Sequence, residues 1–419
     1  MKKILAIILS LVLVIGLFAA CGNTGTETTT AAPDSESETE SDTTEAAADV
    51  DYSNVKVGLI CLHDENSTYD NNFIMALKEV KENLGLSDDQ VLIKTNIGED
   101  DSCLTTAEEL VDEGCNIIFA DSFGHETYML QAAQENPDVQ FCHATGTHAH
   151  TANVPNFHNA FASIYEGRYL AGVAAGMKVQ EMIDNGDITA EDAKIGYVGA
   201  FPYAEVKSGY SSFFLGVRSI VKEATMEVVY TNSWFDIALE REAALKLIND
   251  GCVLISQHAD SEGAPKACEE KGVPNVSYNI NTASIGPNTA LISSRINWAP
   301  YYKLGIDSVA KGTSFDADWT GTIATGSVEL LEVNEKVAAE GTDAKLAEVK
   351  AALEAGTLHV YDISTFTVDG KTVESYLADV DDDGTFTGET EAVSDGYFHE
   401  SEYRSAPYFD LLIDGITEV

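Results

Sequence analysis

The chain has 419 residues, with 24 Lys and Arg against 69 Asp and Glu and a formal charge of −45. Surfaces that track a phosphate backbone carry an excess of Lys and Arg, so this balance excludes nucleic acid as a partner. Seven Cys are present and none forms a C-x-x-C pair, which argues against zinc.

In chain order, residues 1–21 open with Lys2 and Lys3, run almost without a polar group from 4 to 18, and end Leu17-Phe18-Ala19-Ala20-Cys21. A basic start, an apolar middle and small residues before a cut site make an export signal. The segment is similar to a bacterial lipoprotein signal, in which Cys follows two small residues, although Phe18 stands where Leu is usual. That resemblance implies lipidation of Cys21 and a place on the outer face of the cytoplasmic membrane. The alternatives are an ordinary signal peptide cut elsewhere and an uncleaved anchor. Nothing later approaches the ~18 apolar residues that cross a bilayer, which puts the remainder outside the cell. Residues 22–51 contain no aromatic residue, Lys or Arg. Such a stretch cannot bury enough apolar surface to order itself, and it reads as a disordered acidic tether reaching residue 52.

From residue 53 the chain is long enough for two domains. Residues 55–62 read as a buried strand, followed by a polar loop and a helix over 69–84. Residues 91–96, 116–121 and 139–143 are further strands, each after a helix-like segment. Strands alternating with helices imply parallel βαβ units, and these form a first lobe. Residues 157–162 give a short strand leading into a small-residue helix, Ser163-Ile164-Tyr165-Glu166-Gly167-Arg168-Tyr169-Leu170-Ala171-Gly172 and onward. At 194–200 a second series begins, with helices over 203–222 and 237–248 and a strand over 226–231. Segments 290–293 and 322–331 are also strand-like, so the chain crosses between lobes more than once and builds a hinge of several strands. The expected division is 53–161 with 280–322 in lobe 1, and 162–279 with 323–419 in lobe 2.

One stretch occurs twice. Gly114-Cys115-Asn116-Ile117-Ile118-Phe119-Ala120-Asp121-Ser122-Phe123-Gly124 is matched by Gly251-Cys252-Val253-Leu254-Ile255-Ser256-Gln257-His258-Ala259-Asp260-Ser261-Glu262-Gly263. In both, Gly-Cys leads an apolar run that empties into a polar loop. Two similarly built lobes, each aiming one strand-end loop at the other, account for this; a general likeness between βα units is the alternative. Loops at the carboxyl ends of parallel strands hold the ligands of open α/β folds.

The polar loops then carry the candidate chemistry. In Tyr230-Thr231-Asn232-Ser233-Trp234-Phe235-Asp236, Trp234 suits stacking on a planar ring or packing under the next helix, and Asp236 suits a helix N-cap. His258 and Asp260 as a catalytic pair need a nucleophile or a metal; no G-x-S-x-G, H-E-x-x-H or phosphate loop accompanies them. Hydrogen bonding to a sugar or a base edge fits better. His63-Asp64-Glu65-Asn66-Ser67-Thr68-Tyr69-Asp70 is dense in donors and acceptors, part of which helix capping explains. His143, His148 and His150 cluster loosely without ligand spacing. Asp379-Val380-Asp381-Asp382-Asp383-Gly384 matches half a calcium loop, yet the twelfth position is Thr390 and not Glu; a charged turn fits it better. The six Cys beyond Cys21 sit singly in or beside apolar runs and read as free buried thiols.

Taken together, Ala162-Ser163-Ile164-Tyr165-Glu166-Gly167-Arg168-Tyr169-Leu170-Ala171-Gly172, Ser233-Trp234-Phe235-Asp236, Gln257-His258-Ala259-Asp260-Ser261 and Trp298-Ala299-Pro300-Tyr301-Tyr302 resemble the basic-membrane-protein family. These are substrate-binding lipoproteins of ABC importers, similar to purine nucleoside receptors. The resemblance implies the type I periplasmic-binding-protein fold, two Rossmann-like α/β lobes on a three-strand hinge. It also implies ligand contacts from Glu65, Ser67 and Tyr69, from Ser122, Phe123 and Gly124, from Trp234, His258 and Asp260, and from Asn279 and Gly326 near the hinge. The first loop departs from the nucleoside-binding pattern, which leaves a free base or another flat heterocycle open. The expectation is a monomeric receptor without cofactor or metal, handing a purine nucleoside or base to a permease. A surface sensor or adhesion lipoprotein, and a nucleoside hydrolase using His258 and Asp260, are the rivals.

Overall fold

The protein is described from a computed structural model, which covers residues 50–380 and 387–419. The export signal, Cys21, the tether to residue 49 and the core of the acidic turn at 381–384 lie outside the described residues.

In the first lobe strands and helices alternate: β1 (Val57–Ile60), α1 (Thr68–Leu84), β2 (Val91–Lys94), α2 (Asp101–Asp112), β3 (Ile117–Ala120), α3 (Glu126–Glu135), β4 (Gln140–Ala144), α4 (Ala149–Ala152) and β5 (Phe157–Ala162). The second lobe repeats the scheme with α5 (Ile164–Asp184), β6 (Lys194–Gly199), α6 (Ala204–Arg218), β7 (Thr225–Tyr230), α7 (Ile237–Asn249), β8 (Leu254–Gln257), α8 (Gly263–Lys271), β9 (Asn275–Tyr278) and β10 (Ala290–Ile296). The chain then returns to the first lobe for α9 (Ala299–Lys311) and β11 (Asp318–Gly321), and crosses again for β12 (Val328–Leu330) and α10 (Thr342–Glu354). The C-terminal segment is mostly irregular. It contains two ribbons, β13 (Leu377–Ala378) with β14 (Thr390–Glu391) and β15 (Val393–Ser394) with β16 (Tyr397–Phe398), and ends in β17 (Ile416–Glu418).

The first sheet has the order β11-β5-β4-β3-β1-β2 and the second β12-β10-β9-β8-β6-β7-β17. All pairings are parallel except β12 against β10. Every residue of β1 and β3 is buried, as a parallel sheet covered by helices on both faces requires. Val57 and Leu59 pack into one core and Ile60 into another, because successive side chains of a strand point to opposite faces.

The repeated Gly-Cys stretch marks equivalent turns. Gly114 has φ +93° and Gly251 φ +90°, a conformation that favours glycine, and each leads into a strand at the same place in its sheet, β3 and β8. The small-residue helix behaves as its composition demands. A Cβ on Gly172 of α5 would stand 2.1 Å from the Phe213 carbonyl oxygen of α6, and one on Gly216 2.1 Å from that of Tyr169.

Two boundaries differ from expectation. β10, within the 280–322 segment expected in lobe 1, pairs with β9 in the second sheet, so the chain returns to the first lobe only after Ile296. The strand expected over 322–331 is broken by a turn, where Thr322 and Thr325 exchange side-chain hydrogen bonds and Gly326 takes φ +74°. β11 lies before that turn in one lobe and β12 after it in the other. The three crossings follow β5, β10 and β11. All six described Cys are free and buried, and burial pushes the thiols of Cys142 and Cys268 up to about 12.

Candidate functional site

Both sheets have the core order 2-1-3-4-5, in which the strand order reverses beside the first strand and opens a crevice at the carboxyl ends. The two crevices face each other. Between them lies a cavity of about 370 Å³, counting the part open to solvent, lined by Leu62, His63, Tyr69 and Asp70 after β1, Ser122 and Phe123 after β3, and Thr145 after β4. The second lobe contributes Glu205 after β6, Trp234 after β7, and His258 and Asp260 after β8.

The first wall is built around Asp70. Ser67, the N-cap of α1, donates its hydroxyl to Asp70 Oδ2 at 2.5 Å, and the His63 amide donates to Oδ1 at 2.7 Å. Burial would raise this carboxyl, but the bonds from His63 and Ser67 outweigh it and hold it below the usual range. Beneath it, burial and the Asp70 charge push Asp121 well above the usual carboxylate range. Asp121 accepts from the Leu62 amide at 3.1 Å, and Tyr69 donates its hydroxyl to the Asp121 carbonyl at 2.9 Å. Cys61, Asp70 and Asp121 bring their ligand atoms within 4.8 Å of one another. Burial pushes the Cys61 thiol and the Asp121 carboxyl well above their usual ranges. Thr145, a β-branched residue, is held at φ +67°, which costs about 1–3 kcal/mol and marks functional sites more often than framework.

The second wall hangs on Glu240. Its carboxylate accepts from the Ser261 amide at 3.0 Å and from the Asp236 amide at 3.1 Å, tying the loop after β8 to the start of α7. Asp236 caps α7 by accepting from the Ala238 and Leu239 amides, each at 2.9 Å. The Asp260 amide donates to the Trp234 carbonyl at 2.9 Å, which sets the indole beside the Asp260 carboxyl. Burial, then the charges of Glu240, Asp70 and Glu205, pushes Asp260 well above the usual carboxylate range. His258 Nε2 lies 3.3 Å from Glu205; burial and the Arg168 charge depress its imidazole to about 4. Arg168 itself is buried flat over the Tyr278 ring at 3.4 Å and donates to the Gln257 carbonyl at 2.9 Å. At neutral pH the cleft therefore presents a neutral imidazole, which both donates and accepts, beside a carboxyl group whose proton is held more tightly than usual.

The walls touch. The Thr68 amide donates to the Asp260 carbonyl at 2.8 Å, His63 meets Phe235 with ring centroids 5.4 Å apart, and Phe123 stacks on Tyr203 at 5.6 Å.

Among the expected contact residues, Tyr69, Ser122, Phe123, Trp234, His258 and Asp260 line this cavity. Ser67 lies behind it as the cap that positions Asp70. Ser122 and Gly124 turn toward Glu99, which accepts the Ser122 hydroxyl at 2.6 Å and the Gly124 amide at 2.8 Å. Glu65 is exposed, 3.6 Å from Lys78. Asn279 is buried at the end of β9 with φ +71°, and Gly326 borders a separate cavity with Gly167 and Lys350. Sequence reasoning did not single out Thr145 and Glu205. Thr145 directly follows β4, so the strand-end rule applied there would have found it, whereas Glu205 lies in the first turn of α6, six residues beyond β6. His148 Nδ1 lies 2.7 Å from Glu126, an ion pair unseen in the sequence because the partner sits 22 residues away.

Two doubly wound lobes closing strand-end loops over a common cleft make the type I periplasmic-binding-protein fold, and solved structures share it. An ABC transporter solute-binding protein from Aeropyrum pernix K1 matches with TM-score 0.63 at 14% identity, over 73% of this chain and 92% of that one. One from Conexibacter woesei matches with TM-score 0.60 at 20% identity, over 73% and 98%. The chain belongs to the PnrA-like ABC transporter substrate-binding protein family, whose model matches residues 62–358. A putative ABC transporter glucose-binding protein, TsgA13 of Haloferax volcanii, is 36% identical over 56% of this chain and 56% of its own length. The purine-binding protein BAB2_0673 of Brucella abortus is 32% identical over 62% and 70%. No helix among the described residues is long and apolar enough to cross a membrane.

Proposed function

We propose that the protein is a lipid-anchored, non-enzymatic receptor that captures a purine nucleoside or nucleobase outside the cytoplasm and delivers it to an ABC permease. The observation that carries this reading is the pairing of aromatic walls in the closed cleft. Trp234 lines it from one lobe, backed by Phe201 edge-on at 5.1 Å, and Phe123 lines it from the other. A flat ring entering there has aromatic surface available from each lobe. The Asp260 and Asp70 carboxyl groups and neutral His258 offer its edge hydrogen-bonding partners from both lobes. Closure removes water from those bonds, so an analogue lacking a partner strands a buried polar group and binds more weakly. The name of the Brucella relative supports a purine, and that of the haloarchaeal relative supports a sugar.

Thermal-shift titration with adenosine, guanosine, inosine, the free bases and glucose separates these. Saturating purine is expected to stabilise by about 2.7 kcal/mol at a hundredfold excess over Kd. Silence toward every purine would end the reading, and a response to glucose alone would replace it with a sugar receptor. Inosine recovered intact after long incubation is the result expected of a receptor; free hypoxanthine would make His258 and Asp260 a hydrolytic pair. For the anchor, Cys21→Ser is expected to move the protein from the membrane fraction to the medium.

A further inference from the structure

The family match ends at residue 358, yet the segment after it is built into both lobes. Tyr361 is fully buried, donates to the Ser208 carbonyl of α6 at 2.7 Å and stacks on Phe409 at 4.2 Å. Arg404 donates to the Asp379 carbonyl at 3.2 Å. On the first-lobe side the Ser405 amide donates to the Asp318 carboxyl at 2.8 Å, and the Ser401 carbonyl accepts from the Thr320 hydroxyl at 3.2 Å, both on β11.

Where this segment meets the crossing after β11 it walls a cavity of about 540 Å³, open mouth included, that shares no residue with the cavity between the strand-end loops. Four carboxylates line it: Glu166 of α5, Glu354 of α10, and Glu400 and Glu402 of the C-terminal segment. Its other polar side chains are Ser, Thr and Tyr hydroxyls, with no Lys, Arg, His or Cys. Glu166 accepts from the Ser163 hydroxyl at 2.7 Å, Glu402 lies 2.8 Å from His399 Nδ1, and Glu354 lies 3.8 Å from Lys350. Glu400 Oε2 accepts from the Tyr408 and Phe409 amides at 3.2 and 3.0 Å. Its other oxygen, Oε1, is buried without a partner, and so is the hydroxyl of Ser401; the two residues are 1% and 4% exposed. Native proteins rarely leave such atoms unpaired. Burial, opposed by the Ser163 hydroxyl and reinforced by the Glu354 charge, raises the Glu166 carboxyl above its ordinary value.

We propose that this cavity is a cation site beside the hinge, taking a hydrated Ca²⁺ or Mg²⁺ ion that joins the C-terminal segment to α5 and α10. The site is independent of what the cleft between the lobes binds. A lining of carboxylates and hydroxyls alone is the donor chemistry of hard divalent cations. The carboxylates stand too far apart to close on a bare ion, since among the described residues only Cys61, Asp70 and Asp121 bring three ligand atoms within 4.8 Å of one another. An ion that keeps part of its water shell spans the difference, its waters donating to the outlying carboxylates.

Melting of the full chain, first stripped with EDTA, tests this in CaCl₂, MgCl₂ and NaCl at equal ionic strength. Wild type is expected to gain several degrees at about a hundredfold excess of divalent ion over Kd, with a Kd of about 0.1–1 mM, as in extracellular calcium modules. Glu354→Gln and Glu402→Gln are each expected to weaken the ion about tenfold, the worth of one charge-assisted hydrogen bond. Glu354→Gln also removes a charge that repels Glu166, so in EDTA it is expected to melt no lower than wild type, which separates loss of the ion from loss of folding. Asp381→Asn, in the acidic turn, is expected to keep the whole response. Divalent ions acting no more strongly than NaCl, a response that both Gln variants keep, or one that Asp381→Asn abolishes overturns the proposal.

Discussion

At the residue scale the cleft depends on side chains whose roles can be separated. Trp234 is half-buried and its backbone, not its ring, makes the bond to Asp260. Trp234→Ala is expected to weaken purine binding by about 1–3 kcal/mol, the usual worth of a stacked base, and, because the ring packs on Phe201, to lower the melting temperature as well; calorimetry reads both numbers. Glu240 gives a pH signature. Burial raises its carboxyl to about 7, against an ordinary value of 4.5. The folded protein thus keeps a proton that the unfolded chain has lost, so this group's contribution is complete below about pH 4.5 and is lost as pH rises to about 7. Glu240→Gln, which keeps the oxygen accepting from Ser261 and Asp236, should match wild type at pH 4 and exceed it at pH 8 by on the order of 2 kcal/mol in urea unfolding. A difference constant across that range would count against the buried acid. Trp234, His258 and Asp260 were legible in the sequence because each follows an apolar run at a strand end. Asp70 and Glu240 owe their roles to partners on other loops and at other depths, which spacing along the chain does not encode.

At the element scale the tightest packing joins α5 to α6, and the glycines of both helices set it. Helix propensity favours Ala over Gly by about 1 kcal/mol, so Gly172→Ala would stabilise an isolated helix. In the protein the new methyl would stand 2.1 Å from the Phe213 carbonyl, and overpacking of this kind costs about 1–3 kcal/mol or more. A lower urea midpoint with an unchanged m-value is the expected outcome; a gain in stability would mean that the helices separate freely. The small-residue pattern of α5 announced a close contact, and the apolar runs alternating with helices gave most strands of both lobes. The C-terminal segment was illegible by the same reasoning, for its ribbons are two residues long and its fixed points are Tyr361, Arg404 and Ser405, single side chains bonded to distant carbonyls and carboxylates. β11 was hidden for another reason: its four residues, Asp318–Gly321, end before the 322–331 segment that reads as a strand, and the first half of that segment is a turn.

At the scale of the whole molecule, three crossings after β5, β10 and β11 and the bonds of the C-terminal segment to β11 join the lobes, and direct contacts across the cleft add to what keeps it shut. They include the Thr68 to Asp260 backbone bond, the Phe123 and Tyr203 stack, and the contact of His63 with Phe235. Phe123 and Asp260 also line the cavity, but Phe235 does not, so its removal tests closure without removing a cavity wall. Aromatic pairs are worth about 0.5–1.5 kcal/mol beyond their buried area, which for Phe235→Ala shifts the closed-to-open ratio by about 2- to 12-fold. A ligand gripped by both lobes binds the closed form, so its apparent affinity falls by no more than that factor, in proportion to the closed population lost. Small-angle scattering should show the unliganded variant with a larger radius of gyration than wild type and saturating inosine returning both to one value. Equal radii without ligand would mean that His63 and Phe235 do not hold the lobes together. A variant that stays wide at saturation would mean that Phe235 shapes the second lobe itself and not its approach to the first.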